Sequence, residues 1–472
     1  MNPSVQNQVQ TNSSIWNKLV NALKGTEADY TKISLKHAIF LLAVPMILEL
    51  VMESTFAVVD IYFVGKLGPS AVAAVGLTET YLFLLYSIAM GLSVAVTAII
   101  ARRVGEKKKN KAGKVAVQSI ILALLGSLPF AIAGIFYSKE LLSLMGADEW
   151  VLETGYRYTQ WMLGGNLVIM LIFVINAIFR GAGDAAIAMR ILWISNGINI
   201  ILDPLLIMGI GPFPELGVEG AAIATNIGRG VGVLIQIYTL FKGGKHIQLK
   251  FDQLYFDAKL MLSILKTSLG GIGQMLISMT SWIFLMRILA DIGSEAVAAS
   301  TIVIRLLMFT LMPAWGLSNA AATLVGQNLG ADNPKRAEKS VWLIGFYNMG
   351  YLIIVSILFF IFNKDLMMIF SQDKQVIEIG AEWVRILSYD YIVYGWWMVA
   401  VQAFNGAGDT KTPTLINIVF FWLIQIPLSY YLALELDWQH SGVFWGVFWS
   451  ELLVGLFTLY LFKRGSWKKM VI

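Results

Sequence analysis

The side chains with chemical potential in this sequence are a few acids and amides set inside long apolar stretches. Asp203 lies in the stretch NIILDPLLI, residues 199–207. A carboxylate placed in hydrocarbon costs about 2.5–3.5 kcal/mol on insertion scales, so it is rare there without a task or a partner. Asn199 precedes Asp203 by four residues, and the two therefore share one helix face. This pattern indicates an oxygen-lined site inside a membrane.

Asp60, in FAVVDIYFVG, and Thr225 are expected at a similar depth. Counted at 1.5 Å per residue, Asp60, Asp203 and Thr225 fall within roughly 5–11 Å of the outer hydrocarbon edge. Two carboxylates held close in a low-dielectric layer cannot both stay ionised cheaply, so such a pair takes up a proton. Alternatively, carboxylate, amide and hydroxyl oxygens suit a hard cation such as Na⁺. The residues leave both ions open.

Two further acids share the predicted helix of Asp60. Glu49, Glu53 and Asp60 fall within about an 80° arc at 100° per residue, and Pro45 begins the same stripe. The stripe must face the protein interior and not lipid. Glu49 and Glu53 either extend a path for protons or cations, or hydrogen-bond to a neighbouring helix, and both interpretations stay open.

The second half of the chain offers weaker candidates. Asp390 is expected to form a structural ion pair with Arg287 or Arg305, or alternatively to belong, with Gln274, to a substrate cavity or relay, while Glu451 has no assigned role. Trp396 and Trp397, in YGWWMVAVQ, are the best candidates for the wall of a substrate cavity. Most other Trp and Tyr residues are expected to anchor the membrane interface.

The composition is that of a membrane protein. The 472 residues are 57% hydrophobic and only 14% charged, whereas soluble domains carry about 25% charged residues. The chain has no cysteine and three histidines, which excludes a disulfide framework and thiol-based metal sites. The net charge of +5 is attributed to membrane orientation and not to nucleic-acid binding.

The apolar runs predict twelve transmembrane helices, because a span needs roughly 20 residues and no run alternates as a barrel strand would. The predicted spans are 35–63, 71–98, 115–137, 156–180, 189–209, 218–241, 258–289, 296–325, 340–362, 380–405, 414–434 and 441–463. Most Lys and Arg residues lie in one set of connections, which places both termini in the cytoplasm. The stretch SIWNKLVNALKG forms either an interfacial helix or a disordered tail.

The chain contains an internal repeat. GPSAVAAVG at 68 matches GSEAVAAST at 293, FRGAGD at 179 matches FNGAGD at 404, and each pair is 225 residues apart. Six spans per half give two lobes related by a pseudo-two-fold along the membrane normal. The expected division is tail 1–34, N-terminal lobe 35–241, linker 242–257, C-terminal lobe 258–463 and tail 464–472.

The repeat partners of the polar residues are apolar. Asp60 corresponds to Leu285, and Asn199 and Asp203 correspond to Ile424 and Leu428. This asymmetry predicts that ion chemistry is restricted to the N-terminal lobe.

Several motifs together resemble the MATE (multidrug and toxic compound extrusion) family of cation-coupled efflux transporters. They are VVDIYFVGKLG, MPAWGLSNAA, LVGQNLGADNPKRA and the paired FRGAGD and FNGAGDTKTPT. The resemblance implies an all-α fold of twelve helices in two six-helix lobes. It also implies antiport of an organic substrate against H⁺ or Na⁺.

The same resemblance implies roles for individual residues. In the DinF-like branch the cation site matches Asp60, Asn199, Asp203 and Thr225, with a backbone contribution at Ala221, and the helix-bending proline matches Pro45. The NorM-like branch carries acids in the second lobe. This chain has Gln274 there instead, and Asp390 lies one turn before the expected position. That departure disfavours coupling through the second lobe.

The sequence disfavours two rival functions. A flippase for a lipid-linked precursor would carry anionic cargo, and the spans of the first half are nearly free of central Lys and Arg, which disfavours it. An intramembrane aspartyl protease is rejected because GAGD is duplicated and lies in a turn. No HExxH or P-loop motif occurs, so neither enzyme activity nor ATP use is expected.

We expect a monomer in the inner membrane that binds small organic substrates and lipids, uses no cofactor and binds no nucleic acid.

Overall fold

The structure is a computed structural model that describes residues 15–25, 28–244 and 246–472. Within these ranges the chain is helical, with short connections and no strand. Parts of the predicted tail 1–34, at 1–14 and 26–27, and Lys245 of the predicted linker lie outside the described residues.

The helices follow one another with few intervening residues. Their bounds are α1 Ile15–Lys24, α2 Leu35–Gly65, α3 Pro69–Gly105, α4 Lys109–Leu144, α5 Glu149–Gly164, α6 Asn166–Ala182, α7 Ala185–Ile207, α8 Val218–Lys242, α9 Ala258–Ile292, α10 Ser294–Gly330, α11 Pro334–Met368, α12 Lys374–Ala407, α13 Lys411–Asn417, α14 Ile426–Tyr430 and α15 Gln439–Arg464. Two π-helical stretches, Ile418–Gln425 and Tyr431–Glu435, join α13 and α14 into one longer span. Short 3₁₀ turns lie at Phe251–Gln253 and Ser466–Lys469.

The predicted spans fall on these helices. Ten segments of the described chain are long and apolar enough to cross a bilayer, and α5 with α6, bent by 41°, adds an eleventh. The predicted span 380–405 lies on α12, which has 34 residues but is more polar. The fold class expected from the sequence, an all-α membrane protein with two lobes of six spans, is confirmed.

The repeated GAGD stretches end helices in the same way in both lobes. Gly183 follows α6 with φ 92°, and Gly408 follows α12 with φ 87°. Only glycine adopts this left-handed conformation without steric cost, and it is the usual residue after a helix end. Asp409 then accepts a hydrogen bond from the Thr412 backbone N–H at 3.1 Å, which starts the next helix.

The two ends of the bundle differ in charge. We call the end that carries residues 102–114, 242–259 and 464–469 the basic end, and the other end the opposite end. The N-terminal lobe, α2–α8, and the C-terminal lobe, α9–α15, each have an apolar core. The first half of α2 is an exception, because Leu42 and Met46 pack in one cluster with Leu324, Val341 and other residues of the C-terminal lobe.

Helices α7 and α8 meet at backbone distance near the candidate site. A Cβ atom on Gly228 would lie 2.6 Å from the Ser195 carbonyl oxygen, and one on Gly220 would lie 2.6 Å from the Leu206 carbonyl. Such distances are too short for any side chain, so glycine is required at both positions. This close approach brings polar groups of α7 within hydrogen-bond reach of α8.

Candidate functional site

Three predicted site residues form one hydrogen-bonded group. The Asn199 side-chain amide on α7 donates to Asp203 Oδ1 at 3.3 Å and to Thr225 Oγ1 on α8 at 3.1 Å. The exposed fractions are 2% for Asn199, 0% for Asp203 and 6% for Thr225. Ala221, one turn before Thr225, is buried on the same helix. The i, i+4 spacing on α7 and the glycine-mediated contact with α8 position the group.

Asp60 on α2 lies on the side of the helix that faces this group. It is close enough to Asp203 for the two carboxyl groups to interact electrostatically. Three oxygen atoms of the pocket are buried without a hydrogen-bond donor among the described residues: Asp60 Oδ1, Asp203 Oδ2 and Asn199 Oδ1. Because buried oxygen atoms are almost always satisfied, this set marks a place where a ligand or water supplies the missing contact.

The chemistry of the pocket is that of hard oxygen ligands. Two carboxyl groups, one amide oxygen and one hydroxyl group suit a proton or a small hard cation. Within the described part of the chain, no cluster of three or more His, Cys, Asp or Glu side chains is placed to hold a metal ion. The arrangement therefore fits a site for a single light cation better than a transition-metal centre.

Glu49 and Glu53 are engaged with neighbouring helices. Arg180 Nη1 on α6 donates to Glu49 at 2.8 Å, and Arg229 Nη2 on α8 donates to Glu53 at 2.8 Å. Amides add further bonds, from Asn176 to Glu49 at 3.1 Å and from Asn196 to Glu53 at 3.0 Å. Both acids thus fasten α2 to the N-terminal lobe.

Helix α2 connects the two lobes. Its first half packs in the cluster shared with the C-terminal lobe, while Glu49, Glu53 and Asp60 face the N-terminal lobe. Pro45 lies near the end of the part of α2 that packs in this cluster, four residues before Glu49, and the helix continues through it. Because proline donates no backbone hydrogen bond, the carbonyl of Leu41 lacks its usual partner and the helix is easier to bend there.

The C-terminal lobe has no equivalent of the candidate site. Gln274, 3% exposed, donates to Asn405 Oδ1 at 3.1 Å and to the Thr410 carbonyl. The Asp390 and Glu451 carboxyl groups are close enough to one another to interact.

The expected ion pair of Asp390 with Arg287 or Arg305 is not formed. Arg287 instead pairs with Asp291 at 3.1 Å, one turn away on its own helix, and its side chain is 75% exposed. Asp390 is 2% exposed and faces α15, where Glu451 lies. The sequence could place Arg287 and Asp390 at similar depths but could not show which way each helix turns.

Comparisons with known proteins decide the family. The MatE family model matches residues 45–205 and 268–431. The probable multidrug resistance protein YoeA of Bacillus subtilis is 27% identical over 93% of this chain and 96% of its own length. An FAD transporter of Shewanella oneidensis is 28% identical over 90% of this chain and 93% of its own. The chain belongs to the MatE family.

A solved MatE relative resembles the structure throughout. The outward-facing conformation of a multidrug resistance MATE family transporter superposes with a TM-score of 0.87 at 25% identity, covering 94% of this chain and 99% of that one. MatE proteins are transporters and not enzymes, so the protease alternative is excluded. This chain is a multi-pass membrane protein.

The lobes of this MatE protein are held together at the basic end. Thr323 and Gln327 on α10 donate to the carbonyl oxygens of Arg180 and Gly181, at 3.0 and 3.1 Å. Tyr30 donates to the Gly183 carbonyl at 3.1 Å. The first GAGD stretch therefore supplies carbonyl acceptors to the other lobe, a role that its turn chemistry alone did not suggest.

Trp396 and Trp397, the candidates for a cavity wall, have different surroundings in this MatE protein. Trp396 is 6% exposed and stacks on Trp342 of α11 with ring centroids 4.4 Å apart. Gly345 also lies in tight contact with the Trp396 ring. Trp397 packs edge-to-face on Phe421 at 5.8 Å, inside the C-terminal lobe.

Sequence reasoning did not single out Arg229. This residue lies in the middle of α8, one turn after Thr225, and is 3% exposed. A basic residue near the centre of a predicted span was the available signal. The expectation of a first half nearly free of central basic residues therefore needs correction, although Glu53 neutralises this one.

Proposed function

We propose that the chain is a secondary active antiporter that exports amphiphilic or cationic organic compounds in exchange for H⁺ or Na⁺. The coupling ion binds in the pocket formed by Asp60, Asn199, Asp203 and Thr225, with the Ala221 backbone as a further ligand. The observation that carries the proposal is the set of three buried, unsatisfied oxygen atoms in this pocket. Acceptor atoms without donors are suited to receive a positive charge.

The site lies where it can control α2. A cation entering from the opposite end neutralises the buried carboxyl groups and removes their mutual repulsion. The first part of α2 is joined to the C-terminal lobe. The later part, which carries Asp60, can then shift relative to it by bending near Pro45. In this proposal, cation binding is coupled to closure of the opposite end and to release of the substrate there.

The membrane potential supplies part of the driving force. We infer that the basic end is cytoplasmic, because Lys and Arg are enriched in cytoplasmic connections of membrane proteins. One charge moving inward gains about 2.3 kcal/mol per 100 mV. That gain is sufficient to bias an equilibrium between two conformations of the lobes.

A lipid-linked anionic cargo is the weaker alternative. Glu49 and Glu53 neutralise Arg180 and Arg229 of the N-terminal lobe, so these two arginines do not offer the free positive charge that such a cargo needs. The names of relatives include both multidrug resistance and FAD transport. We propose cationic or neutral amphiphiles as the first compounds to test.

Reconstitution tests the proposal. Purified protein in liposomes should expel a fluorescent amphiphilic cation when a pH gradient or a Na⁺ gradient is imposed singly, and one of the two should suffice. Asp60→Asn should abolish this response while the protein remains folded, as judged by its melting temperature. Gradient-driven efflux that persists in Asp60→Asn would overturn the assignment of the site.

Alternating access has its own test. The chain has no cysteine, so a single cysteine at Thr323, in the inter-lobe contact of the basic end, reports accessibility directly. We expect slow labelling of this position by a water-soluble maleimide at rest and faster labelling when the coupling cation is added. Labelling that does not respond to the cation would contradict the proposed coupling.

A further inference from the structure

Arg229 is a buried cation beside the candidate site. Its Nη2 donates to Glu53 Oε1 at 2.8 Å, and its guanidinium group lies 5.5 Å from the centre of the Phe56 ring. Its two other nitrogen atoms, Nε and Nη1, are buried without an acceptor among the described residues. A guanidinium group offers five N–H donors in a fixed plane, so one salt bridge leaves most of its capacity unused.

Arg229 and Asp60 lie within electrostatic range of one another. Glu53, Phe56 and Asp60 are spaced by three and four residues on α2, so they lie along one helix face. Arg229 contacts the first two of them and interacts electrostatically with Asp60. The distance from Phe56 to Asp60 along the helix is about one turn, or about 6 Å. A flexible arginine side chain can cover this distance by changing rotamers.

The surroundings of Asp60 are otherwise acidic or neutral. The titratable groups within electrostatic range are Glu79 and Tyr86 of α3, Tyr158 of α5 and Asp203 of α7. Helix α10 also packs against α2 but adds no charged group to this set in the part of the chain that the structure describes. Arg229 is therefore the positive group placed to compensate Asp60 when no external cation does so.

We propose that Arg229 is a tethered counter-ion that pairs with Glu53 while a cation occupies the Asp60–Asp203 site and with Asp60 when the site is vacant. This inference rests on the proposed function and specifies how the site releases its ion. Leaving two buried carboxylates without a cation would be expensive, and an internal cation lowers that cost. The exchange makes Arg229 a competitor of the transported ion, so it sets the apparent cation affinity of the transporter.

The competition predicts shifts of opposite sign. Arg229→Gln removes the competitor, so the cation concentration for half-maximal efflux should fall by about fivefold or more, which is the lower range of typical coupling energies. Glu53→Gln frees Arg229 to hold Asp60, so the same concentration should rise by a similar factor. Arg229→Lys keeps the charge and the bond to Glu53 and should stay near the wild type.

The double variant Glu53→Gln/Arg229→Gln separates competition from simple loss of structure. Without Arg229, the Glu53 substitution has no competitor to release, so its rise in half-maximal concentration should disappear. The double variant also removes both charges of the ion pair together, which protects folding if either single variant is unstable. Melting temperatures of all variants in detergent should accompany the transport assay.

The experiment distinguishes the two levels of the proposal. Asp60→Asn is measured first in the same liposomes, with H⁺ and Na⁺ tested separately. If Asp60→Asn keeps full cation dependence, the proposed function fails. If Asp60→Asn abolishes the dependence, but Arg229→Gln and Glu53→Gln shift the half-maximal concentration in the same direction or not at all, the tethered counter-ion is overturned and the function stands. Opposite shifts that depend on Arg229 support the inference.

Discussion

The same position in the two lobes carries an ion pair in one and a pair of amides in the other. Glu49 and Arg180 form a salt bridge of 2.8 Å in the N-terminal lobe. Their repeat partners, 225 residues later, are Gln274 and Asn405, whose side chains hydrogen-bond at 3.1 Å. The contact between the first and fourth spans of each lobe is therefore preserved, while its charge is not.

The buried acids of the two lobes also differ in the polar groups that surround them. In the N-terminal lobe, Asp60 and Asp203 have oxygen atoms without donors, which leaves them available to a cation. In the C-terminal lobe, Asp390 and Glu451 interact with each other, and Asp390 Oδ1 is also buried without a donor. Duplication thus gave two similar scaffolds, and in the first the buried acid Asp203 is grouped with the Asn199 amide and the Thr225 hydroxyl group.

The largest expected effect comes from the acids of the N-terminal lobe. Asp203→Asn should reduce cation-driven efflux to the level of empty liposomes, because losing a buried charged ligand costs about 2–5 kcal/mol, at least about thirtyfold in cation affinity. Efflux per folded molecule, normalised to the amount of monodisperse protein, measures it. Asp409→Asn, which alters a helix cap, is the control and should change yield more than transport per molecule.

The ion pair of Glu49 gives the next largest effect, on stability. Glu49→Gln leaves the half-buried Arg180 without its partner, which should cost up to about 3 kcal/mol, the lower end of the range for a fully buried pair. The double variant Glu49→Gln/Arg180→Asn copies the amide pair of the C-terminal lobe and should recover most of the loss. Melting temperatures in detergent compare the two. A double variant no more stable than the single one would show that the two lobes do not use this contact equivalently.

A smaller effect is expected at Thr225. Thr225→Val removes the hydroxyl group that accepts a hydrogen bond from Asn199 at 3.1 Å. The loss should be about 1 kcal/mol, or about fivefold in cation affinity. The half-maximal cation concentration for efflux is the readout, and Thr225→Ser should restore it. If valine and serine behave alike, the hydroxyl group does not contribute to the site.

The smallest effect on coupling is expected in the C-terminal lobe. Asp390→Asn keeps a side chain that can donate a hydrogen bond to Glu451. Because Asp390 lies in the other lobe from the candidate site, the half-maximal cation concentration should change by less than about twofold. Glu451→Gln, the corresponding change in the partner of Asp390, should have an equally small effect on this concentration. A loss of cation dependence in either one would move the coupling ion, or a second one, to the C-terminal lobe.

Much of the architecture was predictable because it follows from apolar length and repetition. Runs of about 20 apolar residues define spans, and the 225-residue repeat defines two lobes, whatever the details of packing. The grouping of Asn199, Asp203 and Thr225 was also within reach. Asn199 and Asp203 are four residues apart on α7, and Thr225 on α8 is at a similar depth, which limits how far apart the three side chains can lie.

Other features depend on how helices rotate and meet, which one sequence does not determine. The partner of Asp390 is an example, since Arg287, Arg305 and Glu451 all lie on other helices of its lobe. Trp396 is another, because only the position of Gly345 shows that its ring is enclosed. The salt bridge of Arg229 with Glu53 was not predicted, because the two residues are far apart in the chain.

Direct measurement of cation binding to the purified protein tests the central claim most simply. Radioactive sodium binding, and proton release detected with an indicator dye, should be compared for the wild type, Asp60→Asn/Asp203→Asn and Asp390→Asn/Glu451→Gln. We predict saturable binding of one of the two ions to the wild type and to Asp390→Asn/Glu451→Gln. Asp60→Asn/Asp203→Asn should bind neither ion. Undiminished binding to Asp60→Asn/Asp203→Asn would contradict the assignment of the coupling site to the N-terminal lobe.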